Sequence, residues 1–217
     1  MMLILIRKTI SFLVFCFAIM RTQAQPSEDY NLYLFVYESD QTHSGAGHIA
    51  IAIGYDSSNL TYYTKYRQHD GGGRKIRNLS YFDALNFDKD SLKFQDSCPA
   101  LVLKLKAQTP DLYQLEKLSD YWNLNKPWSL FVNNCTDAVK RVLRATQINP
   151  GLAFLISTPN ELVEDLIYHN AEKFRNEEFS VLSGDLCFYL KNERNSVPQA
   201  LFGKRKRRDN RINKDCY

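Results

Sequence analysis

The apolar positions of this chain fall first into short blocks and later into helical spacing. Asn-Leu-Tyr-Leu-Phe-Val-Tyr over 31–37 is rich in aromatic and branched side chains and nearly continuous in apolarity, which predicts a strand buried on both faces. The polar, glycine-bearing stretch 39–47 predicts a loop, and His-Ile-Ala-Ile-Ala-Ile over 48–53 a second strand that begins at the histidine. A turn at 56–59 and a third strand at 60–66 complete what reads as an antiparallel meander. Three consecutive glycines, Gly71 to Gly73, predict a mobile loop over 68–74. They lack the strand–GxxxxGK–helix setting of a phosphate loop, so they are read as a flexible rim. A short helix is predicted over 80–87 and a fourth strand over 100–106.

The second half changes period. Thr109-Pro110-Asp111 reads as a cap, a first-turn proline and an acid at the positive end of a helix, with Leu112, Leu115, Leu118, Tyr121 and Trp122 following at helical spacing. A loop over 127–134 leads into a helix that starts at Cys135. Ala138, Val139, Val142 and Leu143 form its apolar face, Lys140, Arg141 and Arg144 lie elsewhere, and Asn149-Pro150-Gly151 ends it. Ser157-Thr158-Pro159-Asn160-Glu161 opens another helix by a cap and a proline, with Leu162, Leu166 and Ile167 facing the core. Strands at 179–182 and 186–190 predict a hairpin around Ser183-Gly184-Asp185.

The ends alter the picture. Arg7 and Lys8 precede an apolar run from Ile10 to Met20, the length of a signal-peptide core and too short to span a bilayer, and Thr22-Gln23-Ala24 offers small residues at a cleavage site. Residues 1–24 are therefore read as a signal peptide, which places the protein in a periplasm or outside the cell. No later run is long and apolar enough for a transmembrane segment. The basic excess is unevenly placed. Residues 204–217 carry seven basic and two acidic side chains, whereas 25–203 carry 18 basic and 22 acidic. The chain reads as one mildly acidic domain, 25–203, with a basic disordered tail, 204–217, able to contact an anionic surface such as lipid, nucleic acid or cell-wall polymer. No specific nucleic-acid partner is indicated.

Four cysteines follow the signal segment: Cys98, Cys135, Cys187 and Cys216. An exported protein can form disulfides, and a pairing of Cys98 with Cys187 is left open. There is no CxxC and no HxxxH, so a structural metal is not expected, and thiol chemistry would need neither a metal nor an organic cofactor. No Gly-x-Ser-x-Gly elbow and no standout carboxylate pair point to a serine hydrolase or a glycosidase.

Cys135 is framed by Asn133, Asn134, Thr136 and Asp137, polar neighbours that do not suit a core cysteine. A thiol at a helix N-terminus is where a thiolate forms most readily, and the amides there can bind an oxyanion. His48, beside Gly45, Ala46 and Gly47, is the candidate base at a strand mouth open to substrate. An orienting group for the ring is expected among His69, Asn59, Thr61, Tyr63 and Thr64. His69 has the right chemistry and is taken as the third catalytic candidate. His43 and His169 are read as structural or exposed.

Gly-His-apolar-Gly on a strand, followed much later by Asn-Cys-polar opening a helix, resembles the circularly permuted NlpC/P60 superfamily of papain-like proteins, in which histidine precedes cysteine. The resemblance covers about 30–169 and includes the proline-initiated helix at Thr158-Pro159-Asn160-Glu161-Leu162. It implies an α+β papain-like NlpC/P60 fold with an antiparallel sheet packed against the helix that bears the cysteine. It matches Cys135 to the nucleophile and His48 to the base. Asn134 is either a residue near the oxyanion or a helix cap. The expected activity is that of an exported thiol protease or amidase on cell-wall peptides, possible partners including peptidoglycan. Alternatives are an acyltransferase or lipid hydrolase using the same dyad on an acyl substrate, and a non-catalytic envelope binding protein.

Overall fold

The computed structural model describes residues 28–38, 47–66, 72–92, 98–151 and 157–190. The predicted signal segment, the basic tail, His43, Gly45, Ala46, His69 and Cys216 lie outside these residues. Six strands form one antiparallel sheet: β1 (Tyr30–Tyr37), β2 (His48–Gly54), β3 (Leu60–Lys65), β4 (Gly73–Leu79), β5 (Leu101–Ala107) and β6 (Phe179–Ser183), in the spatial order β4-β3-β2-β1-β5-β6. The helices are α1 (Tyr81–Leu92), α2 (Leu112–Asp120), α3 (Cys135–Ala145), α4 (Pro159–His169) and the short α5 (Ala171–Arg175), with a π-helical turn at Tyr121–Asn125 after α2. The protein is thus a mixed α+β fold.

The apolar blocks of β1, β2 and β3 follow from cover on both faces of the sheet. Along these strands every residue but Asn31 is buried. Leu32, Leu34, Ile49, Ile51 and Tyr63 pack with Leu115 of α2, Val139, Val142 and Leu143 of α3, and Leu162 and Leu166 of α4. Tyr33, Phe35, Ala50, Ala52 and Tyr62 face the other way and pack with Ala84 of α1. The period-two alternation of side chains thereby assigns each strand residue to one of two cores. The helix that bears Cys135 lies against the sheet, its Val139 and Val142 in the larger core.

Several expectations are corrected. Residues 73–79 form an edge strand, and Gly73 is not part of a flexible rim. A Cβ there would fall 2.0 Å from the Asn123 carbonyl oxygen, so glycine admits the π-helical turn against β4. Residues 67–71 lie outside the described residues. The cap of α2 is Asp111, whose side chain accepts from the Gln114 amide, and Thr109 and Pro110 precede the helix. Residues 186–190 are a helical turn and not the second arm of a hairpin; β6 pairs with β5 instead. Cys187 is disulfide-bonded while Cys98 carries an exposed thiol, so the two are not joined to each other. Lys140, read as lying off the core face of α3, is buried beside Asp165 of α4, with 3.5 Å between its Nζ and the carboxylate.

Candidate active site

Cys135 is the first residue of α3. The cap is Asn134, whose side chain accepts from the Asp137 amide at 2.9 Å while the Asp137 carboxylate accepts from the Asn134 amide at 3.3 Å. This reciprocal pair fixes where the helix begins. The Asn134 Nδ2 donates to the carbonyls of Leu130 and Ser157. Asn134 is therefore a cap with both amide hydrogens committed, not a donor to an oxyanion. The cap side chain takes the Asp137 amide and the cap carbonyl takes that of Ala138. The amides of Cys135 and Thr136 are left at the positive end of the helix, beside the thiol.

His48 opens β2, and the strand ladder explains why the ring meets the thiol. β1 pairs with β2 along its whole length, from His48 to Gly54, but β3 pairs with it only over Ile51–Ile53. The two strands part at the end where His48 and Ile49 lie. The Cys135 sulfur lies close enough to this end of β2 to feel the His48 ring and the Ile49 amide. Gly47 sets the entry to the strand with φ +74°, and its Cα lies where a Cβ would sit 2.9 Å from the Tyr37 carbonyl oxygen. The glycine beside His48 serves this close approach.

The far nitrogen of the ring is held from behind. His48 Nε2 lies 2.9 Å from the Thr64 hydroxyl and 3.4 Å from the Asp88 carboxylate. Thr64 donates to Asp88 at 3.2 Å, so it accepts from the Nε2–H and passes the polarity on to the carboxylate. With Nε2 so used, Nδ1 is the ring nitrogen left to serve the thiol. Asp88, on α1, also accepts from the hydroxyls of Tyr62 at 2.7 Å and Tyr66 at 2.5 Å. These donors satisfy the oxygens of a fully buried carboxylate. The rings of Tyr37 and Tyr66 stand 5.7 and 5.1 Å from the imidazole and confine it.

The electrostatics favour a thiolate–imidazolium pair. Burial opposes the charge on His48, but the Cys135 thiolate and the Asp88 carboxylate outweigh it and raise the ring to about 9. Burial likewise opposes the thiolate. The imidazolium, the Ile49 amide and the Thr136 hydroxyl overcome it and hold the Cys135 thiol below its ordinary range. The shifts belong to the pair, because each charge exists by virtue of the other.

A second buried cation lies near enough to feel the thiolate. Lys65, next to Thr64 on β3, donates from Nζ to the carbonyls of Trp122 at 2.9 Å, Asn123 at 3.0 Å and Lys126 at 2.6 Å. Burial lowers it to about 8, with the Cys135 thiolate acting in the opposite direction. The Lys126 carbonyl also accepts from Asn133 Nδ2 at 3.2 Å. Lys65 thus ties the π-helical turn, and through it the loop before Cys135, to β3, the strand whose Thr64 bonds the His48 ring.

Of the residues singled out in the sequence, Cys135, His48 and Thr64 come together. Thr61 donates to Glu116 at 2.9 Å, Tyr63 donates to Asp120 at 3.0 Å, and Asn59 lies in an exposed turn. His69 lies outside the described residues. Asp88 and Lys65 were not anticipated. The available sign for Asp88 was its place four residues after Ala84, a carboxylate on the core-facing stripe of a helix. Among the described residues no group of three or more His, Cys, Asp and Glu is placed to hold a metal ion, and no helix is long and apolar enough to cross a membrane.

No family model, no curated protein and no solved structure matches this chain.

Proposed function

We propose that this is an exported cysteine hydrolase of papain-like, permuted NlpC/P60 type that cleaves amide bonds in cell-wall peptides. The observation that carries the reading is the His48–Cys135 contact at the mouth of β2, with Thr64 and Asp88 behind the ring. His48 Nδ1 takes the thiol proton, and the Cys135 sulfur attacks the carbonyl carbon. The amides of Cys135 and Thr136 bind the oxyanion of the tetrahedral intermediate. Its collapse breaks the C–N bond, and the imidazolium gives its proton to the leaving amine, leaving a thioester on Cys135. Water activated by His48 then adds to the thioester and releases the carboxylic acid and the thiol. Thr64 and Asp88 hold the ring in the tautomer and orientation that both transfers need, and they stabilise its charged form. No metal or organic cofactor enters these steps.

One observation favours a second reading, cleavage or transfer of acyl esters. Leu130, Phe131 and Val132, at 44, 58 and 62 % exposure, stand immediately before the nucleophile and offer an apolar surface to an acyl chain.

The test is to expose the protein separately to disaccharide-peptide fragments of a cell wall and to short- and long-chain acyl esters, quench in acid, and search for a thioester on Cys135 by peptide mass. The amidase reading expects a peptidyl thioester, absent in Cys135→Ala. A fatty-acyl thioester would transfer the assignment to the second reading. No adduct from either set, with Cys135→Ala indistinguishable from the parent, would leave a binding protein of the envelope.

A further inference from the structure

The segment that delivers Cys135 carries more than the nucleophile. Leu130, Phe131 and Val132 form the tip of a tight turn closed by Ser129 and Asn133, whose amides and carbonyls exchange hydrogen bonds at 3.3 and 3.1 Å. Asn134 Nδ2 holds the Leu130 carbonyl at 3.1 Å. The tip is therefore anchored, and its exposed apolar side chains are presented by a fixed backbone. Beside it stands an aromatic pair, Tyr121 and Trp122, edge to face with centroids 4.8 Å apart. The Arg141 guanidinium lies 3.8 Å over the Trp122 ring and donates to the Val132 carbonyl at 3.0 Å, joining the pair to the tip. The Lys126 ammonium sits 5.0 Å over Tyr121.

The charge of this patch contrasts with that of the domain. Residues 121–134 contain Lys126 and no carboxylate, whereas 25–203 as a whole hold 22 acidic and 18 basic side chains. Three adjacent exposed apolar side chains on an anchored tip, two aromatics and two cations around them match the layers of a lipid surface. Apolar groups enter the acyl region, Tyr and Trp sit at headgroup level, and Lys and Arg meet the phosphates. A protein partner would call for a broader surface than one three-residue tip.

We propose that the Leu130–Phe131–Val132 tip, with Tyr121, Trp122, Lys126 and Arg141, is a docking surface for an anionic lipid bilayer, and that it sets the mouth of the Cys135 site at the membrane–water boundary. This goes beyond the proposed hydrolase reading and does not depend on it, since docking needs no chemistry at Cys135.

The experiment uses the full chain with Phe131→Trp as a reporter at the tip, so that attachment through any other part of the chain does not register. Its difference emission is followed on vesicles of phosphatidylglycerol with phosphatidylethanolamine, on vesicles of phosphatidylcholine, and on both with brominated acyl chains. The proposal expects a blue shift and quenching by brominated chains on the anionic vesicles, with at least tenfold weaker response on phosphatidylcholine. It also expects a joint Leu130→Ser, Phe131→Ser, Val132→Ser variant to lose at least tenfold in vesicle affinity while melting like the parent, because the three side chains are already in water. A reporter indole in Phe131→Trp that stays accessible to aqueous acrylamide and unquenched on anionic vesicles overturns the proposal, even if the chain sediments with them. Cys135→Ala is expected to dock like the parent. Loss of hydrolysis with docking retained separates a failure of the hydrolase reading from a failure of this one.

Discussion

Replacing Asp88 by asparagine removes the charge behind His48 while the side chain keeps its size and one carbonyl acceptor for Tyr62, Tyr66 or Thr64. The carboxylate oxygen lies 3.4 Å from Nε2. Unit charges at that distance attract by roughly 5 kcal/mol at an effective dielectric constant of about 20, an upper bound on the net effect. The three hydroxyls that donate to Asp88 disperse its charge, and opposite charges at such range move a pKa by about 1–3 units. His48 in Asp88→Asn is therefore expected to fall from about 9 by about one to two units, because the thiolate of Cys135 remains in place. The sign follows for both partners. A weaker imidazolium gives up its proton at lower pH, and it stabilises the thiolate less, so the Cys135 ionisation moves up. The pH window in which thiolate and imidazolium coexist narrows from both sides. Histidine-selectively labelled protein, followed by NMR with His48→Gln to assign the resonance, reads the first limb; the pH dependence of Cys135 alkylation reads the second. A His48 titration unmoved within about 0.3 unit, against the one to two units inferred from the charge separation, would mean that Asp88 is a structural acceptor for the tyrosines and does not support the ring.

Three further outcomes are expected. Lys65→Met withdraws the ammonium donor shared by the carbonyls of Trp122, Asn123 and Lys126 and removes a cation near the thiolate. It should cost about 2–4 kcal/mol in denaturant unfolding and raise the Cys135 ionisation, and a variant as stable as the parent would refute the latch. Gly47→Ala forces a side chain into a left-handed conformation, with its Cβ 2.9 Å from the Tyr37 carbonyl oxygen. A loss of about 1–3 kcal/mol with slower alkylation of Cys135 is expected; a neutral result would show that the strand entry does not position His48. Asn134→Ala deletes the cap of α3 and should cost about 1 kcal/mol or more. Hydrogen exchange should speed up at the start of α3 and in the 129–133 turn, and unchanged exchange there would contradict the tie between them.

What could be read in the sequence was local. The meander of β1 to β3 showed because its strands are apolar on both faces, and the starts of α3 and α4 showed because Asn134 and Thr158 are paired with Asp137 and Glu161 three residues on. Cys135 and His48 were visible through the elements they open. The parts that escaped depend on distant chain. Asp88 is a site residue only because three hydroxyls from 62–66 surround it, and Lys65 and Lys140 are buried only because carbonyls or a carboxylate from elsewhere meet them. A charged residue seen alone is read as solvated. β4 escaped because an edge strand facing solvent needs few apolar residues. The apolar stretch at 186–190 is too short for its period to separate a helical turn from a strand.

The most direct test of the central claim is the rate of Cys135 alkylation as a function of pH, read by peptide mass, in the parent and in His48→Ala. The account predicts a thiolate that reacts rapidly well below pH 8 in the parent and an apparent ionisation raised toward about 8.5 or beyond, the range of an ordinary thiol, without the histidine. Superimposable profiles, both near that of an ordinary thiol, would contradict it, because the contact between His48 and Cys135 would then carry no chemistry.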